Sequence, residues 1–491
     1  MSLEAECGWS LLRALAVAVI AMPLAMVLER TIKCSDPGPR RWLVAILALP
    51  FLTPGFVVGY SYSNVTLDLV RSPLLNEFFY DLLLLIQVVP VGTLVLALAP
   101  PPPLGPMASW TARLARRGKP GHVVTGHRLG QFWHGPARNR VPAIGLMALL
   151  VFHEFEIASL FRVIAGGRLT PASWSNALFE LIALQRLGEQ SPWDLWRAGW
   201  MPMLCSLALL SPLVALAWSA RHERGGLRPT SQPTQTGISR RMAWAWLATA
   251  LLMGSVVPLC SLSLDAFGRE SSVWATLPGL LPTLTHAALS LAPAFIVATT
   301  AAVLASWLLR KRWVTSLLVL SLPGLLGSLL LGLTLTWLLL LATPVVPRHS
   351  IITLCLGQTL WLLPRAAMLV VLLAVLPTQE SSHVARLLQQ APSGPQRTAG
   401  WKLAWQQSGQ RGAWMIGLIC WWGFLELTLN ELLAPPNWLS VAHRMYQQMH
   451  FGRNAALSTT TLVVMLVPLA VATALVAVGR ILPAAFGRSP R

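Results

Sequence analysis

Runs of about twenty mostly apolar residues recur along the whole 491-residue chain, and any fold must solvate them. Crossing the hydrocarbon core of a bilayer takes roughly 20 such residues. Eleven runs meet that length, near 9–29, 42–62, 78–99, 141–163, 199–219, 242–262, 283–308, 314–342, 351–376, 412–433 and 455–479. Charged residues make up only 11% of the chain, against about 25% in soluble domains. So few charges cannot cover a water-facing surface of this size. The expected fold class is all-α, a polytopic transmembrane helix bundle of 11 spans. Pro323 and Gly324 inside the long run 314–342 predict a tilt or break there. The first apolar run is too long for a cleaved signal peptide and no small-residue cleavage site follows it.

Lys and Arg in the loops set the orientation. With the N-terminus outside and the C-terminus inside, the inner segments 30–41, 100–140, 220–241, 309–313, 377–411 and 480–491 hold 26 of the 37 basic residues. The outer loops hold 8, and Arg13, Arg162 and Arg365 fall within spans. The net charge of +19 is therefore a topology signal with membrane lipid as its partner, and nucleic acid is not expected. Cys7, Cys34, Cys205, Cys260, Cys355 and Cys420 are far apart in sequence without a CxxC pair. They read as scattered small apolar residues rather than a zinc site or disulfide framework.

An internal repeat runs through the chain. Phe152-His-Glu154-Phe-Glu-Ile-Ala-Ser-Leu160 resembles Phe424-Leu-Glu426-Leu-Thr-Leu-Asn-Glu-Leu432 at an offset of 272, and each follows an Ile-Gly-Leu. Trp110–Arg116 matches His383–Gln389 through a shared Ala-Arg-Leu, Thr53-Pro54-Gly55 parallels Leu322-Pro323-Gly324, and Pro171–Trp174 parallels Pro435–Trp438. Four matches in one order imply two parallel repeats, 1–230 with five spans and 231–491 with six, around one central path. The span at 242–262 has no counterpart in the first half.

With these residues in view, the chain resembles the fused permease subunits of binding-protein-dependent ABC importers, of the ferric-iron and thiamine type. The resemblance rests on Leu49-Pro50…Pro54-Gly55, on Leu322-Pro323-Gly324, and above all on Glu426–Glu431, Ala434–Trp438, His443–Tyr446 and Phe451–Ala456. It implies a multi-pass protein of the bacterial cytoplasmic membrane. Its partners would be a cytoplasmic ATP-binding subunit dimer and a periplasmic or extracellular solute-binding protein. The family's EAA motif, whose short helix docks on the ATPase, is decayed here. Only Ala112 in the first loop and Ala385 in the second keep their identity, so Ala112, Arg113, Leu114 and Ala385, Arg386, Leu387 are the expected coupling residues. No Walker A sequence is present, so the motor must be another subunit.

Ionisable groups inside spans cost several kcal/mol, on the order of 3, unless paired or facing water. Glu154, Glu426, Glu431 and Arg365 are the candidates for the translocation path, with Asp81 and Glu156 behind them. Glu154 and Glu426 are repeat equivalents and carry the expectation of a gate or lining; the structural alternative is carboxyls satisfied by a neighbour's hydroxyl. Gly55, Gly324, Gly327 and Gly332 read as close helix contacts, and Trp421 and Trp422 as packing. His122, His127 and His134 match no zinc spacing, and Ile157 breaks the HExxH pattern after His153-Glu154. No catalytic residue, metal or cofactor is expected. Two other classes stay open: an ion-coupled secondary transporter using Glu154 or Glu426, and a membrane enzyme acting on lipids. The second is weakened because no cluster of His, Asp or Ser stands at a span end in the sequence.

Overall fold

A computed structural model describes residues 3–69, 71–98, 139–161, 163–165, 168–178, 199–212, 237–267, 273–311, 313–325, 327–342, 350–375, 379–391, 394–435, 438 and 440–450, with single helical positions between 457 and 477. The chain divides into two compact units, Met1–Ser261 and Leu262–Arg491.

In the first unit α1 (Leu3–Cys34) lies against α4 (Pro73–Leu98) and α5 (Arg140–Phe152), which also touch each other. Ala14, Ala18, Ala21 and Ala25 form the buried stripe of α1. Side chains that end at Cβ let the neighbouring backbones come close. The other side of α1 exposes Leu12, Leu15, Val19 and Ile20. A helix apolar on every side needs an apolar solvent on its free face. Around this trio, α2 (Pro37–Leu52) covers α4, and α3 (Gly55–Asp68) holds the short α6 (Glu156–Phe161). An antiparallel hairpin of β1 (Val163–Ala165) and β2 (Arg168–Thr170), with Ile164 opposite Leu169, is the one pair of strands among the described residues. The unit continues with α7 (Gly199–Pro212) and α8 (Gly237–Leu251).

Helix α8 packs on α1 and α2, and the π turn Leu252–Val256 that follows it packs on α2 and α4. Residues 237–261 therefore go with the first unit, and the boundary lies some thirty residues later than the 230/231 read from the sequence. Sequence similarity could not place this helix, because it has no repeat counterpart to align with. Its π turn has a local cause. Val257 N–H bonds Leu252 O across five residues, so Met253 O would look to position 258, where Pro258 has no N–H. The Tyr62 hydroxyl donates to Met253 O instead, at 2.9 Å.

In the second unit α10 (Val273–Arg310) lies against α13 (Ile351–Val375) and α16 (Gln410–Leu425). Here α11 (Val314–Leu325) covers α13, and α12 (Gly327–Ala342) holds the short α17 (Thr428–Leu433). Between α13 and α16 stand two further helices, α14 (Gln379–Gln389) and α15 (Gly394–Ala404), packed on one another. After α17 comes α18 (Val441–His450). A final run, α9 (Val257–Phe267), links the π turn of the first unit to the second.

Several helices are long and apolar enough to cross a membrane. Among the described residues these are Leu3–Cys34, Pro73–Ala97, Gly237–Ser261 and Leu284–Arg310. A fifth crossing results if Thr315–Leu325 and Gly327–Thr336, bent by 94°, count as one. The expected break in 314–342 is at Gly327, whose φ of 83° suits glycine. Other apolar runs are also broken rather than straight. Pro54 cannot donate to the helix, and Thr53 before it is extended at φ −73°, ψ 123°. Run 42–62 thus becomes α2 and α3. Runs 141–163 and 412–433 break at Glu154 and Glu426.

Candidate functional site

The break after α5 turns Glu154 back onto α6. Its Oε1 accepts from Ile157 N–H at 2.5 Å and its Oε2 from Ala158 N–H at 3.2 Å. These are orphan donors of a helix N-terminus, which a carboxylate satisfies well. The Tyr80 hydroxyl on α4 donates to Oε2 at 2.6 Å. Glu156, the first residue of α6, accepts from Phe56 N–H at the start of α3, at 3.0 Å. Two half-helix N-termini therefore converge on two carboxylates.

The second unit repeats the device with different partners. Glu426 is extended at φ −66°, ψ 113° and buried, and its Oε1 accepts from Leu429 N–H at 3.0 Å. The Thr428 N–H and the hydroxyl of Ser328, second residue of α12, stand near its carboxylate. Asn430 donates its side-chain amide to Glu426 O. Arg365 on α13 attracts the Glu426 carboxylate, while its guanidinium lies 3.9 Å over the Trp361 ring and donates to Trp361 O at 3.1 Å. Glu431 is on α17, the helix that Glu426 caps. Glycines allow these helices to meet. A Cβ on Gly59 would lie 2.9 Å from Leu160 Cδ1 and 3.2 Å from Ile157 Cα, and one on Gly332 would lie 2.7 Å from Leu432 Cδ1.

The sequence did not point to the partners of Glu154. Arg13, with a side chain only 4% exposed, forms an ion pair with Glu77. Its Nε donates to Glu77 Oε1 at 2.6 Å and stands 3.5 Å from Asp81 Oδ1. Its guanidinium carbon is 5.0 Å from the Tyr80 ring centroid. Trp9 Nε1 also donates to Glu77, at 3.1 Å. One guanidinium thus serves three carboxyls, Glu77, Asp81 and Glu154, with Tyr80 as the link. The sequence signal for this cluster is Arg13 itself, a cation ten residues into an apolar helix with acids one turn apart on another.

Folding also assembles a His–Ser contact at the end of α5, where the sequence had shown no such cluster. His153 Nε2 is 2.9 Å from Ser206 Oγ on α7. The Ser206 hydroxyl donates to Pro202 O at 2.8 Å, so the serine accepts from His153 Nε2–H. A serine whose proton is committed to a backbone carbonyl and whose lone pair faces an imidazole N–H is not activated for attack. Trp174 completes the shell: its N–H donates to Ser10 Oγ at 3.1 Å and its Nε1–H to Phe152 O at 2.7 Å, with its ring 5.8 Å from His153. Among the described residues, no group of three His, Cys, Asp or Glu side chains could hold a metal ion.

The expected coupling residues divide. Ala112, Arg113 and Leu114, with His122, His127 and His134, lie outside the described residues. Ala385, Arg386 and Leu387 are on α14, whose buried side seats on α15. Ala385 is 2% exposed, and a Cβ on Gly400 of α15 would come within 2.8 Å of the Leu388 backbone. On α14 Val384 is 48% and Leu387 55% exposed, beside exposed Arg386, and on α15 Trp401 is 50% exposed. No family model, curated protein or solved structure matches the chain.

Proposed function

We propose that this chain is the transmembrane permease subunit of a binding-protein-dependent ABC importer, moving a small solute inward by alternating access powered by a separate ATPase. The observation that carries the reading is that the two units use one plan at equivalent positions. The trio α1, α4 and α5 corresponds to α10, α13 and α16, and each unit breaks the helix after its second long element. Ser10, Ala14, Val17, Ala18, Ala21, Ala25 and Leu28 on α1 are buried, as are Ser290, Ala294, Val297, Ala298, Ala301, Ala305 and Leu308 on α10. Ser10 accepts from Trp174 N–H and Ser290 from Val441 N–H, each at 3.1 Å. Gly59 meets Ile157 and Leu160, while Gly332 meets Leu429 and Leu432. This supports a duplicated permease repeat of about 11 spans, with N-terminus outside and C-terminus inside as the basic loops suggest. The exposed Val384 and Leu387, three residues apart on one face of α14, support that helix as the contact for an ATP-binding subunit, since solvent-exposed apolar clusters commonly mark partner surfaces.

The alternative, an ion-coupled transporter, draws on the cluster of three carboxyls around Arg13, because intramembrane acids also serve as proton relays. Purification from native membranes in mild detergent separates the two. The importer reading expects two ATP-binding chains per permease chain, and ATP-dependent solute uptake when that complex is sealed into vesicles. Uptake by the chain alone, abolished by a protonophore and indifferent to ATP, would overturn it in favour of ion coupling.

A further inference from the structure

We infer that the ends of α1, α2 and α8 that meet in the first unit bind the headgroup of an anionic phospholipid, with Arg240 and Arg241 as its main contacts. The inference rests on α1 and the run Gly237–Ser261 crossing the bilayer, and not on the importer reading. Register brings the three ends together. Helices α8 and α2 run parallel: a Cβ on Gly254, in the π turn after α8, would lie 2.8 Å from Pro50 Cβ, and Ser255 Oγ is 2.9 Å from Thr53 Oγ1. Seven residues before Gly254, Leu247 on α8 shares an apolar crevice with Leu43 and Leu47 of α2 and with Leu28, Thr31 and Ile32 near the end of α1. Six or seven residues further back, the same register sets Arg240 and Arg241 level with Pro37, the first residue of α2. Helix α1 ends two residues before that point is reached in sequence, at Cys34 and the link Ser35-Asp36.

The charge at this end is unbalanced. Arg30, Arg240 and Arg241 are exposed and form no ion pair among the described residues, and Arg40 and Arg41 stand in the first turns of α2. Of the acids here, Glu29 is paired with Lys33, which leaves Asp36. The other end of α1 carries acids instead, Glu4 and Glu6. Basic charge alone marks only which side of the membrane a loop stays on. The neighbours go further. Trp42 beside Arg41 is 73% exposed and Trp244 on α8 45%, while Ile238 and Met242, one turn apart on α8, are 74% and 51% exposed. An indole settles at headgroup level with its ring against acyl chains, and a guanidinium takes a phosphate through two N–H groups. Cation, indole and bare alkyl side chains in one place match the successive parts of a phospholipid, where a soluble phosphate would use only the first. A zwitterionic headgroup brings its own ammonium, which the unbalanced arginines repel, so the anionic class is favoured. The crevice residues are buried and lock the three ends together; the lipid lies on the exposed side chains outside them.

The test uses the full chain, delipidated in detergent at fixed ionic strength, with no ATP-binding subunit present. Phosphatidylglycerol and phosphatidylcholine of the same acyl chains are added separately, and binding is read by native mass spectrometry and by the unfolding midpoint. Phosphatidylglycerol is expected to bind on the order of tenfold more tightly and to raise the midpoint further. Arg240→Gln with Arg241→Gln is expected to remove that preference, whereas the same loss of charge in the second unit, Arg310→Gln with Lys311→Gln, leaves it intact. Where the glutamine pair upsets membrane insertion, Arg240→Lys with Arg241→Lys keeps the topology charge and is expected to weaken phosphatidylglycerol binding several-fold, because an ammonium does not grip a phosphate bidentately. Equal binding of the two lipids, an equal midpoint rise with inorganic phosphate alone, unweakened binding in the Arg240 and Arg241 variants, or an equal loss in the Arg310 and Lys311 variant would each overturn the site. None of these outcomes bears on whether an ATPase drives the chain.

Discussion

Tyr80 donates its hydroxyl to Glu154 at 2.6 Å, joining a carboxylate that caps one broken helix to an ion cluster on two others. Removing the donor leaves a buried acceptor short of one bond, which costs about 1–3 kcal/mol. Tyr80→Phe is therefore expected to lower the unfolding midpoint in detergent with little change in expression. An unchanged midpoint would mean that the backbone N–H groups of Ile157 and Ala158 satisfy Glu154 alone.

The two capping glutamates separate transport from stability. Glu426→Gln keeps an acceptor oxygen for Leu429 N–H but removes the charge that Arg365 attracts. Uptake is expected to fall while membrane insertion is preserved. Normal transport by the Glu154→Gln, Glu426→Gln double variant would assign both residues to structure alone.

The two glycine contacts should differ in tolerance. At Gly332 the nearest atoms are the side-chain ends of Leu432 and Leu429, which can move. The gain in helix propensity from Gly→Ala, about 1 kcal/mol, then offsets most of the crowding. At Gly59 the Ile157 backbone stands 3.2 Å away, and overpacking costs about 1–3 kcal/mol. Thermal unfolding should rank Gly59→Ala well below Gly332→Ala.

Tyr62 and Pro258 form a testable pair. Tyr62→Phe strands Met253 O at a loss of about 1–3 kcal/mol, whereas Pro258→Ala supplies an N–H that can take over. The double variant is expected to be more stable than Tyr62→Phe alone. Additive losses would mean that the π turn does not come from the missing proline donor.

The coupling face is tested without altering the basic residues that set topology. Leu114→Asp with Leu387→Asp is expected to abolish ATPase co-purification and transport together, while cysteine labelling still places Lys119, Lys311 and Gln396 inside and Arg269 and Asn437 outside. A doubly substituted chain that co-purifies and transports normally would show that these loops are not the coupling surface.

The sequence by itself determined the helical class, because apolar runs of bilayer length permit no other economical way to satisfy backbone hydrogen bonds. It also determined that run 314–342 breaks, although Pro323 and Gly324 stay within α11 and the turn falls at Gly327, and it singled out Gly332 as a close helix contact, since glycine acts on its own backbone. It singled out Glu154 and Glu426 through their shared setting, but not what holds them. The neighbouring hydroxyls, Tyr80 and Ser328, come from other helices, and only the crossing of α4 with α5 and of α12 with α17 decides which one arrives. Arg13 found Glu77 and Asp81 across 64 and 68 positions. Periodicity carries no information over such separations. The placement of α8 with the first unit was likewise a matter of tertiary packing: an apolar helix can be buried against many partners, and Gly254 in the π turn that follows it fits between Pro50 and Ile86.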